Sequence, residues 1–405
     1  MATVFVNRFA WPDHSATSQL LSDLAAGLAA QGMAVTLVAS RLRYDDPKAR
    51  LPRFERWQGV AIRRLWSSGF GRTRLLGRAL DYFSFYLSLP LALWRLLRPG
   101  DVVVAMTDPP LLALLVGLVA RWRGAVLVNW LQDVFPEVAI ALGQPPVPAG
   151  LGWLLKQLRN RTLQQAAINV VIGERMGELL RGLGVADARL RVISNWAHED
   201  LIRPLATSAS GLRRELALGS TFVVGYSGNL GRAHDIDTIF AAAERLADHP
   251  AIAFLIVGGG HGYQQLRARC QAASLDTVHF LPYQPAAALA DSMAAADLHL
   301  VSLRPALEGL IVPSKFYGMA AAERPIGFIG DADGELSRLI AAHDCGFSVR
   351  WGDGERLAQA IMALQADPAR CRRQAQHARA LLDRRFSRAA AHRQWHHLLA
   401  QLSGP

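Results

Sequence analysis

The first forty residues constrain the fold more than any other stretch. Residues 3–7, Thr-Val-Phe-Val-Asn, form a short apolar run of the kind that makes a buried strand. After a loop over 8–17, Leu20, Leu21, Leu24, Ala25 and Leu28 recur at helical spacing, and Gly32 stops the helix. A second apolar strand follows at 34–39. Strand, helix and strand in so short a span make a βαβ unit, which builds a parallel sheet whose ligand loops lie at the C-terminal strand ends. Strand signals at 101–106, 125–130, 168–172 and 191–194 extend that sheet.

The pattern then breaks and restarts. Residues 204–210 are polar without hydrophobic period, and a new strand begins at 221–226. Further strands are expected at 251–257, 278–281, 298–303, 326–329 and 346–350, separated by helical segments. The expected architecture is α/β with two doubly wound, Rossmann-like domains, one over 1–200 and one over 201–380. A C-terminal helix over 381–405 is expected to pack back on the first. The chain's 405 residues, 51% hydrophobic and 19% charged, suffice for two such cores and argue against global disorder.

Charge narrows the partners. The net charge of +11 points to an anionic partner. Cys270, Cys345 and Cys371 lie far apart without CxxC spacing, which fits a reducing compartment and gives no zinc signature. The N-terminus reads as a strand and not as a signal peptide. The most apolar run, 109–120, is shorter than the ~20 residues that span a bilayer. The expectation is a cytoplasmic protein, soluble or held at a membrane surface.

Residues 53–98 sharpen that expectation. Nine arginines (Arg53, Arg56, Arg63, Arg64, Arg72, Arg74, Arg78, Arg95, Arg98) face only two acids, Glu55 and Asp81. Trp57, Trp66, Phe70, Tyr82, Phe83, Phe85, Tyr86 and Trp94 are interleaved with them. Arginines meet lipid phosphates while rings enter the headgroup layer, so the stretch suits an anionic membrane surface. Two packed helices with a solvated basic face are the plainer reading. Nucleic acid is disfavoured, because the stretch is apolar and no nucleic-acid motif is present.

Candidate site residues fall in the loops. The first loop is not GxGxxG; His14, Ser15 and Thr17 precede its helix, as a substrate approach or as a capped turn. Gln132 and Asp133 follow the strand at 125–130, with Asp133 as an acceptor-side carboxylate or an N-cap. In the second half, Gly228, Asn229, Gly231 and Arg232 close the first strand, where a tight turn exposes amides and an arginine can fork onto phosphate oxygens. Gly258, Gly259 and Gly260 end the next strand with no side chain to block a docked group. Residues 307–325 bring Glu308, Gly309, Pro313, Ser314 and Lys315 to a helix start, where free amides, the helix dipole and a lysine converge as at a phosphate site. An ordinary helix with a surface lysine fits the same residues.

Taken together, Pro12-Asp13-His14-Ser15-Ala16-Thr17, Gln132-Asp133-Val134-Phe135-Pro136-Glu137, Ser194-Asn195-Trp196, Tyr226-Ser227-Gly228-Asn229-Leu230-Gly231-Arg232 and Val312-Pro313-Ser314-Lys315-Phe316-Tyr317 resemble the GT-B fold glycosyltransferases. The likeness is to the large family-4 group of retaining transferases, and within it to the subset acting in colanic-acid, capsule and O-antigen assembly. It runs over most of the chain. The resemblance implies a nucleotide-sugar, UDP- or GDP-linked, bound by the second domain and an acceptor bound by the first, across a central cleft. It implies that Gly228 and Arg232 hold the diphosphate, that Gly258 to Gly260 with Pro282 and Tyr283 face the nucleoside, and that Ser314 and Lys315 complete the cradle. The broad group carries two glutamates eight positions apart; those positions here are Leu310 and Gly318, with Glu308 two residues away. Gln132 stands where many relatives have His, and Asn229 where many have Arg.

The implied reaction is metal-independent transfer with retention. Arg232 and Lys315 stabilise the leaving diphosphate, and Glu308 and Asp133 orient hydroxyls. No cofactor is implied beyond the nucleotide-sugar substrate. The implied acceptor is a polyprenyl-diphosphate-linked sugar at the inner face of the cytoplasmic membrane. The alternative is a non-catalytic nucleotide-sugar or polysaccharide-binding protein on a degenerate scaffold of the same fold.

Overall fold

The apolar runs assemble into two sheets, the first parallel except for one edge hairpin and the second wholly parallel. The computed structural model describes residues 1–402 apart from 47, 72–74, 144–148 and 198, so Arg72 and Arg74 lie outside the described residues. The chain forms two units, Met1–Ser194 with Ala391–Pro405, and Asn195–Ala390.

In the first unit, strands β1 (Thr3–Val6), β2 (Val35–Ser40), β3 (Phe54–Trp57), β4 (Val60–Leu65), β5 (Val102–Ala105), β6 (Val126–Leu131), β7 (Ile168–Val171) and β8 (Leu190–Val192) form one sheet. Their order is β3-β4-β2-β1-β5-β6-β7-β8. Its helices are α1 (Ala16–Ala30), α2 (Leu75–Leu96), α3 (Leu112–Arg123), α4 (Glu137–Ala141), α5 (Ala149–Gln165) and α6 (Glu174–Gly182). The period-two alternation of a strand divides the core. Val4 and Val6 pack with Phe85, Leu89 and Leu93 of α2 and Leu112 and Val116 of α3. Phe5 points the other way, its ring 6.5 Å from Trp130 and 6.3 Å from Trp395. Trp395 comes from the last helix, Arg388–Leu402. His392 of that helix meets the Asp23 carboxylate at 3.2 Å. Gly27 leaves room for the ring, since a Cβ there would lie 2.2 Å from His392 Nδ1.

The segment 53–98 differs from two packed helices. It opens as an antiparallel hairpin of β3 and β4 and continues into the single long helix α2. Gln58 (φ 45°) and Gly59 (φ 80°) supply the two positive-φ residues of a tight hairpin turn. Alternation then carries Val60, Ile62 and Arg64 inward. Arg64 is therefore not a lipid-facing cation. It is buried, pairs with Glu55 at 2.6 Å and donates to the Trp11 and Pro52 carbonyls.

In the second unit, β9 (Phe222–Asn229), β10 (Ile252–Gly259), β11 (Val278–Leu281), β12 (Leu298–Ser302), β13 (Ile326–Gly330) and β14 (Gly346–Arg350) form a wholly parallel sheet in the order β11-β10-β9-β12-β13-β14. Its helices are α7 (Gly211–Glu215), α8 (Asp237–Arg245), α9 (His261–Ala272), α10 (Leu289–Ala294), α11 (Lys315–Ala321), α12 (Glu335–His343), α13 (Gly354–Gln365) and α14 (Pro368–Leu381); Arg388–Leu402 is α15. Val224, Tyr226, Phe254 and Leu300 meet Ile239 of α8, Leu266 of α9 and Leu357 of α13. Val223, Leu255 and Val257 face Leu212 and Leu218 on the other side. Strand order reverses between β9 and β12 here, and between β1 and β5 in the first unit. Such a reversal opens a crevice at the C-terminal strand ends, where ligands of this architecture bind.

Candidate active site

At the β9/β12 reversal two loops meet. The end of β9 and the loop after it carry Gly228 to Arg232, and the segment from β12 to the start of α11 carries Glu308 to Lys315. Their approach depends on Gly228 (φ 116°), where a Cβ would come within 2.9 Å of Lys315 Cε. The Lys315 stem thus lies flat on that turn. The neighbouring loop after β10 is stitched to it through Leu230 N–H to the Gly259 carbonyl and Gly262 N–H to the Leu230 carbonyl, both 2.8 Å. Gly258 and Gly260 serve this packing. A Cβ at 258 would lie 2.1 Å from the Gly228 carbonyl oxygen, and one at 260 would lie 2.3 Å from Asn229 Oδ1. Two of the three glycines therefore border the first loop. Gly259 faces the exposed ring of Tyr283, whose Cε2 would lie 2.9 Å from a Cβ. Pro282 is exposed, and its carbonyl accepts from the Gln284 side chain.

Lys315 is the centre of this constellation. Its ammonium donates to His234 Nε2 at 3.0 Å and sits 5.4 Å from the Tyr226 ring centroid. His234 Nδ1 donates to the Ser302 carbonyl at 2.7 Å, which fixes the tautomer that leaves Nε2 free to accept. Burial, then the Lys315 charge, press the imidazole down to about 3, so the histidine is neutral. Burial pulls Lys315 itself down to about 8, although part of its side chain reaches the surface. No carboxylate within ion-pair distance answers this charge among the described residues. Arg232, exposed on the adjoining loop, likewise has no ion-pair partner among them. Two unanswered cations beside glycine-rich backbone suit an anion with several oxygens. Among the described residues no three His, Cys, Asp or Glu side chains are grouped as a metal site.

Other expected residues lie differently. Lys315 does open a helix, but α11 has only seven residues and the Ser314 hydroxyl makes no capping bond. Ser314 is exposed and Pro313 buried. Glu308 Oε1 accepts the Glu335 amide at 2.7 Å, at the first turn of α12, and Oε2 would lie 2.6 Å from a Cβ at Gly334. Its carboxylate thus supports α12. His234 and Ser302 are not among the candidates expected from sequence, and Tyr226 stands there only as part of a motif. The signal for His234 was its place two residues beyond Arg232 in the same loop.

The first unit's reversal point is built otherwise. Arg8, at the end of β1, is buried and pairs with the equally buried Asp81 at 3.3 Å. Its guanidinium lies about 5 Å from the Phe9 and Tyr82 rings. Asp81 also accepts from Ser68 Oγ and from the Phe70 and Gly71 amides. Asp13, buried, accepts from the Ser15 amide and the Ser18 hydroxyl, and so shapes the turn carrying His14, Ser15 and Thr17. Ser15 is the N-cap residue of α1, yet its own hydroxyl is buried without a partner. His14 is exposed, and Thr17 and Gln132 are half-buried. Asp133 does not cap a helix side by side with these; it lines a cavity of about 50 Å³ with Thr107, Asn129 and Arg159. Burial lifts its carboxyl to about 6, with the Asp108 charge adding to the rise and a Thr107 hydrogen bond opposing it.

Known proteins resemble both halves of the chain. A family described as "Glycosyl transferase 4-like domain" matches residues 17–196, and "Glycosyl transferases group 1" matches 212–381. A probable glycosyltransferase, WbjE, of Pseudomonas aeruginosa is 29% identical over 290 residues, 72% of each chain. A putative colanic acid biosynthesis glycosyl transferase, WcaI, of Escherichia coli K12 is 27% identical over 343 residues, 81% of this chain and 83% of the relative. Sucrose-phosphate synthase of Thermosynechococcus elongatus superposes with a TM-score of 0.76 at 20% identity, over 99% of this chain and 98% of that one. HepE of Anabaena, solved with UDP-glucose, gives 0.72 at 15% identity over 99% and 100%. The two parallel-sheet units have the GT-B fold that such structures share. The chain thus matches a glycosyltransferase 4-like domain in its first half and a group 1 glycosyltransferase domain in its second.

Proposed function

We propose that the chain transfers a sugar from a nucleotide-diphosphate-sugar to a lipid-linked acceptor during assembly of a cell-surface polysaccharide. The observation that carries this reading is the pair of unanswered cations, Lys315 and Arg232, on the glycine loops of the β9/β12 reversal. The name of the colanic-acid relative and the UDP-glucose bound by the Anabaena protein support the substrate class.

In this reading the second unit binds the donor. The diphosphate lies along Gly228, Asn229 and Gly231 between Arg232 and Lys315, and the nucleoside lies toward Gly259 and Tyr283. As the bond from the sugar to the diphosphate breaks, charge gathers on the leaving phosphate. Lys315 and Arg232 meet it as fixed positive groups, so no metal is required for that task. The acceptor hydroxyl enters on the face the phosphate leaves, its proton passes to a phosphate oxygen, and configuration is retained. Glu308 acts indirectly through α12. Asp133, with Gln132 and the turn at His14, Ser15 and Thr17, orients the acceptor in the first unit. The basic and aromatic segment 53–98 holds the enzyme to the anionic inner face of the cytoplasmic membrane, where a polyprenyl-diphosphate-linked sugar presents itself.

Incubation with radiolabelled UDP- and GDP-sugars and a bacterial lipid extract tests the proposal. Label should pass from one donor into the organic phase, and the Lys315→Met variant should slow that transfer by about 10²–10³-fold. Nucleotide binding without transfer from any donor would favour the non-catalytic scaffold.

A further inference from the structure

Resting on the membrane reading above, one surface of the first unit says how contact is made. Along α2, Leu76, Leu80, Phe83, Leu87, Leu91 and Trp94 recur every three or four residues and are all exposed, Leu76 at 81%, Phe83 at 59% and Leu87 at 63%. The opposite side of the same helix, with Phe85, Leu89 and Leu93, is fully buried against the sheet. The outward stripe is thus a second apolar face that this chain leaves uncovered. It continues sideways. Trp94 meets Trp122 of α3 edge to face at 6.2 Å, and Trp122 is 68% exposed. The next helix over, α5, packs on α3 and exposes Leu151, Trp153, Leu154 and Leu158. In the second unit, among the described residues, only Leu201 and Tyr283 are large apolar side chains of comparable exposure.

Charge identifies the occupant. The only acid in α2 is Asp81, 1% exposed and engaged by Arg8 and two amides; α3 and α5 contain none. Arg95, Arg121 and Arg161 are exposed on these helices, and the Arg123 guanidinium lies 5.2 Å from the Trp94 ring centroid. An apolar face free of exposed acids, with arginines and tryptophans around it, complements anionic headgroups above acyl chains. Proteins rarely leave contiguous apolar surface beyond roughly 600 Å² to water. No helix among the described residues is long and apolar enough to cross a membrane. We infer that α2, α3 and α5 together form a lipid-embedded face, so that binding is dominated by apolar insertion, with the arginines contributing a smaller, salt-sensitive part.

Vesicle flotation tests this. The probes are phosphatidylcholine vesicles with and without phosphatidylglycerol, in 0.1 M and 1 M NaCl. The wild type should float with the mixed vesicles at both salt concentrations, losing only a few-fold in partition at 1 M. The triple variant Leu76→Ser, Phe83→Ser, Leu87→Ser alters exposed positions only, and circular dichroism checks its fold; its partition should fall at least a hundredfold at both salts. Arg95→Gln with Arg161→Gln should lose a few-fold at 0.1 M and nothing further at 1 M. Release of the wild type by 1 M NaCl, or a triple variant that floats like wild type, overturns the inference. So does a wild-type dimer in sedimentation that the triple variant dissolves while neither floats, since the face would then belong to a second copy. Thermal shift with UDP and GDP on the same samples separates the two claims. Nucleotide stabilisation without flotation removes the embedded face and leaves the transferase reading standing; flotation without nucleotide stabilisation does the reverse.

Discussion

At the strand-order reversal of the first unit the charged groups are answered from within. Arg8 is matched by Asp81, Asp81 by three further donors, and Asp13 by a loop amide and a hydroxyl. At the reversal of the second unit, Lys315 has a neutral histidine and an aromatic face for company, and Arg232 has no ion-pair partner among the described residues. The same topology therefore carries a charge-paired network in one place, with Arg8 Nε and Nη1 still lacking a hydrogen-bond partner, and an unfinished cationic site in the other. A cluster whose charges are paired from within holds a loop whether or not ligand is present. An unsatisfied cationic pair is stabilised by an anion, so it is the second that reads as a diphosphate site.

The largest expected effect comes from removing the central charge of the unfinished site. Lys315→Met should lower donor turnover by about 10²–10³-fold, the range for deleting one preorganised group that meets developing charge. Its melting temperature should stay near wild type, because no ion pair is broken. A collapse in stability instead would make Lys315 structural, like Arg8. Next is Gly258→Ala, where the backbone has φ 140° and a Cβ would meet the Gly228 carbonyl oxygen at 2.1 Å. The glycine loops should lose their packing, at about 3 kcal/mol or more by urea denaturation.

Asp133 sharpens the contrast from the other side. Burial raises its carboxyl to about 6, so the folded state holds that proton more tightly than the unfolded chain does. Its effect on stability is therefore most favourable at low pH and worsens as pH rises from about 4 through about 6. Asp133→Asn should raise the melting temperature at pH 8, leave it unchanged at pH 4, and reduce transfer at every pH. A variant less stable at pH 8 would contradict a carboxylate whose burial outweighs its Thr107 hydrogen bond. The smallest effect is expected at Glu308→Gln, which keeps an acceptor near the Glu335 amide while removing charge from a helix N-terminus. Loss of about 0.3–1 kcal/mol is expected, with nucleotide affinity unchanged. A large fall in affinity would return Glu308 to direct contact with the donor.

Most strands were legible because parallel strands buried on both faces leave continuous apolar runs, as at 251–257 and 326–329. The hairpin at 54–65 was not, because its inward alternation is interrupted by Arg64, which is buried by pairing with Glu55 and not by being apolar. The proposed anion site is half legible. Glycines and an arginine in one loop are local signals, and so is a lysine at a helix start. That His234 would receive the Lys315 ammonium is not local. It depends on the loops after β9 and β12 lying side by side, which strand order decides. Spacing likewise marked Gly258 and Gly260 but could not say what fills the space they leave. The space at both is taken by the adjoining loop.

The most direct test of the contrast is thermal-shift binding of UDP, GDP and their sugars to wild type and to Arg232→Ala. One nucleotide family at a hundred times its dissociation constant should stabilise the wild type by about 2.7 kcal/mol, and the variant should lose most of that gain. Equal stabilisation of both proteins, or none of either, would contradict the placement of the diphosphate between Arg232 and Lys315.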